Sequence, residues 1–177
     1  MKNRYIALIL LFSFLLEGSL LVPWLIPAQW QSKLMLAPHF TLIILLLFSM
    51  LRSRHLGLAF GLVIGLMQDI VYASPMLGPH AFSMAFAAYG AGIAANRVKM
   101  NITLTFFVVS FCILFYDFTI FSIYYLFRIT PMDYGDLVTQ LLTPSLLFNL
   151  LFAVLIYVPA RKWLEVKMEN RDVESIS

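Results

Sequence analysis

Six long apolar runs occupy most of the chain and are separated by short connections that contain proline, glycine or charge. The predicted helices are Tyr5–Ile26, Leu36–Leu51, Leu56–Tyr72, Phe82–Ala95, Ile102–Phe127 and Leu141–Val158. A bilayer's hydrocarbon core needs about 20 apolar residues per helix, so six spans leave little more than connections. The sequence therefore predicts an all-α integral membrane protein, with a six-span transmembrane domain at residues 1–160 and a cytoplasmic C-terminal tail at residues 161–177.

Composition supports a membrane protein and argues against other classes. Hydrophobic residues make up 62% of the 177 residues and charged residues 12%, which leaves too little polar surface for a soluble globular domain. The single cysteine, Cys112, has no partner for an internal disulfide. The net charge of +3 could suggest nucleic acid, but the basic residues are scattered through short connections. We therefore expect the lipid bilayer, and not nucleic acid, to be the environment of this chain.

The basic residues are distributed asymmetrically between alternate connections. A cytoplasmic N-terminus places only Lys33 and Arg128 outside. The other ten then lie in the cytoplasm: Lys2, Arg4, Arg52, Arg54, Arg97, Lys99, Arg161, Lys162, Lys167 and Arg171. Because cytoplasmic loops carry an excess of Lys and Arg, this bias predicts a multi-pass membrane protein with both termini in the cytoplasm.

Small residues follow one face of the third predicted span. Gly57, Gly61 and Gly65 recur at four-residue steps, and Asp69 continues the row. Residues four apart lie on one side of a helix, and small residues there let another helix approach closely within lipid. We expect a packing surface, either within the protein or for a partner. For Asp69 the sequence leaves two alternatives open: a functional or partner-binding role, or a span end that reaches interfacial water.

The fourth predicted span carries a second small-residue row, formed by Ser83, Ala87, Ala91 and Ala95. Adjacent spans joined by a short loop usually pack together. We therefore expect the third and fourth spans to form a helical hairpin through these two rows. Contact with another molecule, including a second copy in a homo-oligomer, is the alternative.

Three acids interrupt the predicted spans: Glu17, Asp69 and Asp117. At 1.5 Å per residue, all three lie about 18 to 22 Å from the cytoplasmic surface. We expect them to share a polar layer in the outer half of the bundle, bordered by His80 and by further candidates His39 and Gln140. A carboxyl within a span costs about 2.5 to 3.5 kcal/mol, so each must be protonated, hydrogen-bonded, or open to water or a partner.

The sequence lacks motifs for catalysis or cofactor binding. It has no G-x-S-x-G elbow, no HExxH and no phosphate-binding glycine loop. His39 and His80 are not spaced as metal ligands usually are, and no acids continue toward the cytoplasm as a proton relay would need. We therefore expect no catalytic residue, no metal and no cofactor, and we interpret the chain as non-enzymatic.

The segment GLVIGLMQDIVYASPMLGPHAFSMAFAAYGAG resembles the MreD family of rod-shape-determining inner-membrane proteins. The specific part is Gly61 to Gly92, where Gly65 and Asp69 are followed by Leu77 and Gly78, and Pro38 stands at the start of the second span. The second half of the chain matches only by hydropathy. The resemblance implies a non-enzymatic scaffold of the elongation machinery that builds peptidoglycan, working with MreC, MreB filaments, and RodA with its penicillin-binding transpeptidase.

The resemblance also implies a fold similar to the substrate-binding S components of energy-coupling-factor transporters. An S component that binds a vitamin or a metal is therefore the alternative function. Those proteins commonly carry an alanine-rich face on their first span, and the first span here has none. This difference favours the scaffold. A third class, an enzyme of lipid metabolism, would need a reactive constellation that the sequence does not contain.

Overall fold

The computed structural model describes residues 2–19, 37–98 and 101–157, which form helices joined by turns and short loops. In chain order the helices are α1 Lys2–Ser19, α2 Phe40–Leu51, α3 Arg54–Val71, α4 Pro79–Arg97, α5 Ile102–Leu126 and α6 Tyr134–Tyr157. The described ranges contain no strand, so the all-α class is confirmed for them. The rest of the predicted first span, the connection containing Lys33, and the predicted tail lie outside these ranges.

Helix α2 lies at the centre of the bundle. Nine of its twelve residues are buried, and Ile43, Leu45 and Leu46 have no exposed surface. Side chains from the other five helices contribute to the apolar cluster around it. A helix that is buried on all sides is apolar all round, which explains why this run shows no polar face.

Helix α3 runs antiparallel to both α2 and α4, which are therefore parallel to each other. Gly65 near the end of α3 lies against Ala81 near the start of α4, while Arg54 at the start of α3 lies against Gly92. As a result Arg52, Arg54 and Arg97 gather at one end of the bundle, which we call the arginine end. The opposite end, which contains Asp69 and the start of α2, is called the polar end.

Three of the described helices are long and apolar enough to cross a membrane: α3, α5 and α6. Helices α1 and α2 contain shorter apolar stretches, Tyr5–Glu17 and Phe40–Leu51. At twelve residues α2 is about 18 Å long, against a hydrocarbon core of about 30 Å. The six predicted helices are therefore present, but membrane-spanning length and composition are met by three of them.

Helix α6 begins seven residues before the predicted Leu141, so the last part of the predicted external connection RITPMDYGD is helical. Leu137–Leu142 form a π-helical turn immediately before Pro144. The ring of a proline clashes with the carbonyl four residues earlier in a regular α-helix. The wider turn relieves this clash, and both the backbone N–H and the hydroxyl of Thr143 donate to the carbonyl of Val138, the latter at 2.7 Å.

Candidate functional site: a polar layer inside the helix bundle

Asp69 on α3 caps the N-terminus of α4. Its Oδ2 accepts hydrogen bonds from the backbone N–H groups of Gly78 at 2.9 Å and Ala81 at 3.3 Å. Its Oδ1 accepts from His80, through the backbone N–H at 3.4 Å and ring atom Nδ1 at 2.8 Å. The first N–H groups of a helix have no partner within that helix, and negative charge is favourable beside them. The fully buried Asp69 carboxylate thus stabilises the start of the neighbouring helix.

The loop before α4 is shaped to reach this carboxylate. Gly78 has φ +118°, a conformation that side-chain-bearing residues rarely adopt. Ser74 donates its backbone N–H to the carbonyl of Asp69 at 3.0 Å, which folds the chain back toward α3. The Leu77-Gly78 pair and Asp69 therefore belong to one structural unit, a helix end and the acid that caps it.

Glu17 on α1 acts in the same way on α2. Its Oε2 accepts a hydrogen bond from the backbone N–H of Thr41 at 2.9 Å, and the hydroxyl of Thr41 donates to Ser13 at 3.5 Å. Both acids therefore bind the N-terminal turn of another helix. These contacts give each carboxylate hydrogen-bond donors without a buried Lys or Arg.

The third acid, Asp117 on α5, binds His39, the residue that precedes α2. Nε2 of His39 lies 2.8 Å from Oδ1 of Asp117, and both side chains are buried. The backbone N–H of His39 donates to Oδ1 of Asn149 on α6 at 2.8 Å. The amide of Asn149 donates in turn to the carbonyl of Ala37 at 2.9 Å, and Ser145 accepts from the N–H of Ala37 at 3.0 Å. Side chains from α5 and α6 thus hold the segment that leads into α2.

Tyr116 connects these groups at the centre of the layer. Its hydroxyl donates to Oε1 of Gln68 at 3.1 Å. Its ring lies edge-on to His39, with ring centres 5.0 Å apart, and 6.1 Å from the ring of His80. The carboxyls of all three acids lie within electrostatic reach of it. We call this set the polar layer; its members are Glu17, His39, Gln68, Asp69, His80, Tyr116 and Asp117.

Tyr72, just beyond the end of α3, joins α1 to the same region. Its hydroxyl donates to the carbonyl of Phe14 at 3.4 Å, and the two rings are 5.5 Å apart. Burial, and secondarily the nearby Glu17 carboxyl, raises the pKa of Tyr72 to about 12. The hydroxyl therefore remains protonated, and a donor, at any physiological pH.

The geometry of the layer is structural and not that of a catalytic triad. Ser74, His80 and Asp69 are close together, but Ser74 and Asp69 both contact the same ring atom, Nδ1 of His80, at 3.4 and 2.8 Å. A hydrolase needs the two partners on opposite ring nitrogens. Within the described ranges no three His, Cys, Asp or Glu side chains are grouped as metal ligands.

The glycine row of α3 lies at the closest helix contacts. A Cβ atom on Gly61 would approach the backbone of Ala85 to 2.7 Å, and one on Gly65 would approach the backbone of Ala81 to 2.5 Å. A Cβ atom on Gly57 would overlap the side chain of Ser49 on α2. The row therefore packs inside this chain, against α4 at two positions and α2 at one.

Ala81, Ala85 and Gly92 lie on the face of α4 that meets Gly65, Gly61 and Arg54 of α3. Ala87 and Ala91 are buried elsewhere in the core, where the carbonyl of Ala87 accepts from Cys112 on α5 at 3.6 Å. Ala95 is only half-buried. A helix with small residues on several faces cannot be assigned a contact face from spacing alone.

The sequence-based site did not name one central member of the polar layer. Tyr116 is its centre, and its position next to Asp117 within a span was the available signal. Gln140, a predicted neighbour, instead donates to Asp136 on its own helix at 3.0 Å. Nothing in the sequence indicated a role for Ala37, because it binds Ser145 and Asn149 through its backbone alone.

Comparison with known proteins bears directly on this arrangement. Residues 2–167 match the family described as rod shape-determining protein MreD. The rod shape-determining protein MreD of Bacillus subtilis (strain 168) is 25% identical over 138 residues, which cover 77% of this chain and 80% of that protein. No solved structure matches, so the likeness to transporter S components stays a prediction. Because the family match extends over nearly the whole chain, this protein belongs to the MreD family of rod shape-determining membrane proteins.

Proposed function

We propose that this protein is a non-enzymatic scaffold of the cell-elongation machinery that docks MreC and links it to MreB filaments and to RodA with its transpeptidase. The observation that supports the proposal is that each of the three intramembrane acids binds another helix or the residue just before it. Glu17 and Asp69 each bind the N-terminal turn of another helix, and Asp117 binds the histidine before α2. Such an arrangement favours a rigid platform that presents fixed outer faces to partners.

We propose that the arginine end faces the cytoplasm and the polar end faces the exterior. Arg52, Arg54 and Arg97 lie at the arginine end, whereas Arg128 lies in the connection between α5 and α6. The excess of arginine on one side supports this orientation, because positive residues are retained in the cytoplasm.

Reporter fusions test this orientation. Fusions after Lys99 and after Ser177 are expected to be active in the cytoplasm, and a fusion after Tyr134 at the exterior. The positive-inside distribution is the reason for the expectation. A C-terminal fusion that reports the exterior would contradict an even number of spans.

We place the MreC span in an apolar groove between α4 and α5, because the glycine row is already occupied within the fold. The groove has a volume of about 270 Å³. Its lining consists of Phe86, Ala87, Gly90, Ala94, Phe107, Val108, Phe111, Cys112 and Phe115. Phe107 and Phe111 are 68% and 62% exposed, and a Cβ atom on Gly90 would meet no neighbour within 4 Å. Exposed aromatic side chains beside small residues offer a partner helix both a ridge and a place for close approach.

Site-specific photo-crosslinking in cells tests this docking surface. A photoreactive residue at Phe111 is expected to yield an adduct with MreC. The same residue at Val63 on α3 or Leu155 on α6, which are 59% and 67% exposed, should yield none. Adducts at the control positions, with none at Phe111, would contradict the proposed surface.

A further inference from the structure

The arginine end differs from the rest of the described surface in its charge. The described acids are Glu17, Asp69, Asp117, Asp133 and Asp136, and all belong to the polar layer or to the connection and first turn of α6. Asp69 and Asp117 lie beside His80 and His39 in that layer. Within the described ranges, Arg54 and Arg97 at the arginine end form no ion pair with a carboxylate.

Arg54 is held in a fixed position at this end. Its Cα and Cβ atoms lie where a side chain on Gly92 would project, so close packing of α3 on α4 fixes its backbone. Its guanidinium carbon lies 5.9 Å from the ring centre of Tyr89, within the range of a cation–π contact. Its Nε atom lies 3.5 Å from Nε2 of His55, whose own ring is 5.9 Å from that of Tyr89.

These contacts use the flat face and the Nε edge of the guanidinium. The two terminal nitrogens retain their donors, in the planar geometry that suits two oxygens of one phosphate. Loss of side-chain freedom is one of the main costs of binding, and the ring of Tyr89 reduces it by restricting the guanidinium beforehand.

We propose that Arg54, oriented by Tyr89 and His55, binds the phosphate of an anionic phospholipid head group, with Arg97 adding positive potential at the same end of the bundle. A lipid fits better than a soluble phosphate because the same end of the bundle also exposes apolar surface: Val98, just after α4, and Ile102, at the start of α5, are 52% and 50% exposed. The assignment goes beyond the scaffold role and does not depend on the identity of its protein partners.

Native mass spectrometry of the purified full chain tests the proposal, with phosphatidylglycerol and phosphatidylcholine as the probes. Phosphatidylglycerol is expected to be retained in preference to phosphatidylcholine. Each basic residue near an anionic surface contributes about 1 kcal/mol, so Arg54→Gln should weaken phosphatidylglycerol binding about fivefold. Tyr89→Leu, which keeps every charge, should give a smaller loss in the same direction.

Arg128→Gln is the matched control, since it removes the same charge at the other end of the bundle and should leave lipid retention unchanged. Equal losses for Arg54→Gln and Arg128→Gln would overturn the proposal in favour of a general net-charge effect. Equal retention of the two lipids would overturn it as well. If inorganic phosphate were retained by the protein as strongly as phosphatidylglycerol, the site would be assigned to a soluble anion instead. If the arginine end bound MreB and showed no preference between the two lipids, the site would be assigned to a protein contact. A thermal unfolding midpoint of Arg54→Gln close to that of the parent protein would show that the loss is not caused by misfolding.

Discussion

Replacement of Gly65 by leucine is expected to separate α3 from α4 and to destabilise the folded protein by about 3 kcal/mol or more. A Cβ atom alone would lie 2.5 Å from the Cα of Ala81 and 2.6 Å from the carbonyl oxygen of His80. Both are backbone atoms and cannot rotate away, so the helices must move, at the upper end of the usual cost of overpacking. The first turn of α4, which Asp69 caps, would move with them.

The thermal unfolding midpoint of the purified protein in detergent measures this effect. Gly90→Leu is the matched control, because it is the same change on a helix of the same bundle at a position with open space around it. We expect Gly90→Leu to retain the parent midpoint while filling the groove proposed for MreC. Equal midpoints for Gly65→Leu and the parent protein would show that the tight α3–α4 contact does not exist.

Replacement of Asp69 is expected to produce the second large effect. Asp69→Leu removes the acceptor of three backbone N–H groups and of the ring of His80, in a site that is buried at Ala81 and partly buried at Gly78 and His80. Each donor that loses its acceptor in such a site costs about 1 to 3 kcal/mol, so we expect the loss of all four hydrogen bonds to cost about 3 kcal/mol or more in free energy of unfolding. Asp69→Asn retains one acceptor oxygen, but its NH₂ group then faces the other donors. We therefore expect a smaller decrease in the free energy of unfolding, of about 1 to 3 kcal/mol.

Thermal unfolding and rod-shape complementation together distinguish this role from proton transfer. Asp133→Asn, at an exposed acid in the connection before α6, is the control and should behave like the parent protein. If the role of Asp69 is structural, the unfolding midpoint and the degree of complementation of Asp69→Asn should both lie between those of the parent protein and those of Asp69→Leu. Complete loss of complementation by Asp69→Asn at an unchanged midpoint would mean instead that the charge itself is required.

The elements of the bundle could be predicted from the sequence because they depend on local patterns. The helices were predicted from the apolar runs. The region shared by Glu17, Asp69 and Asp117 was predicted from their similar depth in the membrane. What each acid binds could not be predicted, since their partners are largely backbone N–H groups. Any residue except proline carries such a group, so Thr41 and Ala81 show no sign of their role in the sequence.

Other details had equally physical causes. The contacts of α4 with the glycine row could not be derived from the predicted row Ala87, Ala91 and Ala95, because α4 also carries Ala81, Ala85 and Gly92 on another face. Choosing between the faces needs knowledge of where α2 and α5 lie. The early start of α6 was missed because the predicted apolar run begins at Leu141, whereas the helix starts at Tyr134 and continues through a π-helical turn over Leu137–Leu142.

The hydrogen bonds at the entry to α2 have a consequence for how the protein is assembled in the membrane. The segment Ala37–His39 is bound by Ser145 and Asn149, more than one hundred residues later in the chain. During synthesis the central helix enters the bilayer long before those side chains leave the ribosome. Its leading peptide groups must therefore be satisfied by water, lipid head groups or the insertion machinery in the interim. The last helix to be inserted completes the bundle around the second, so a nascent chain that ends before residue 145 would lack these contacts at its centre.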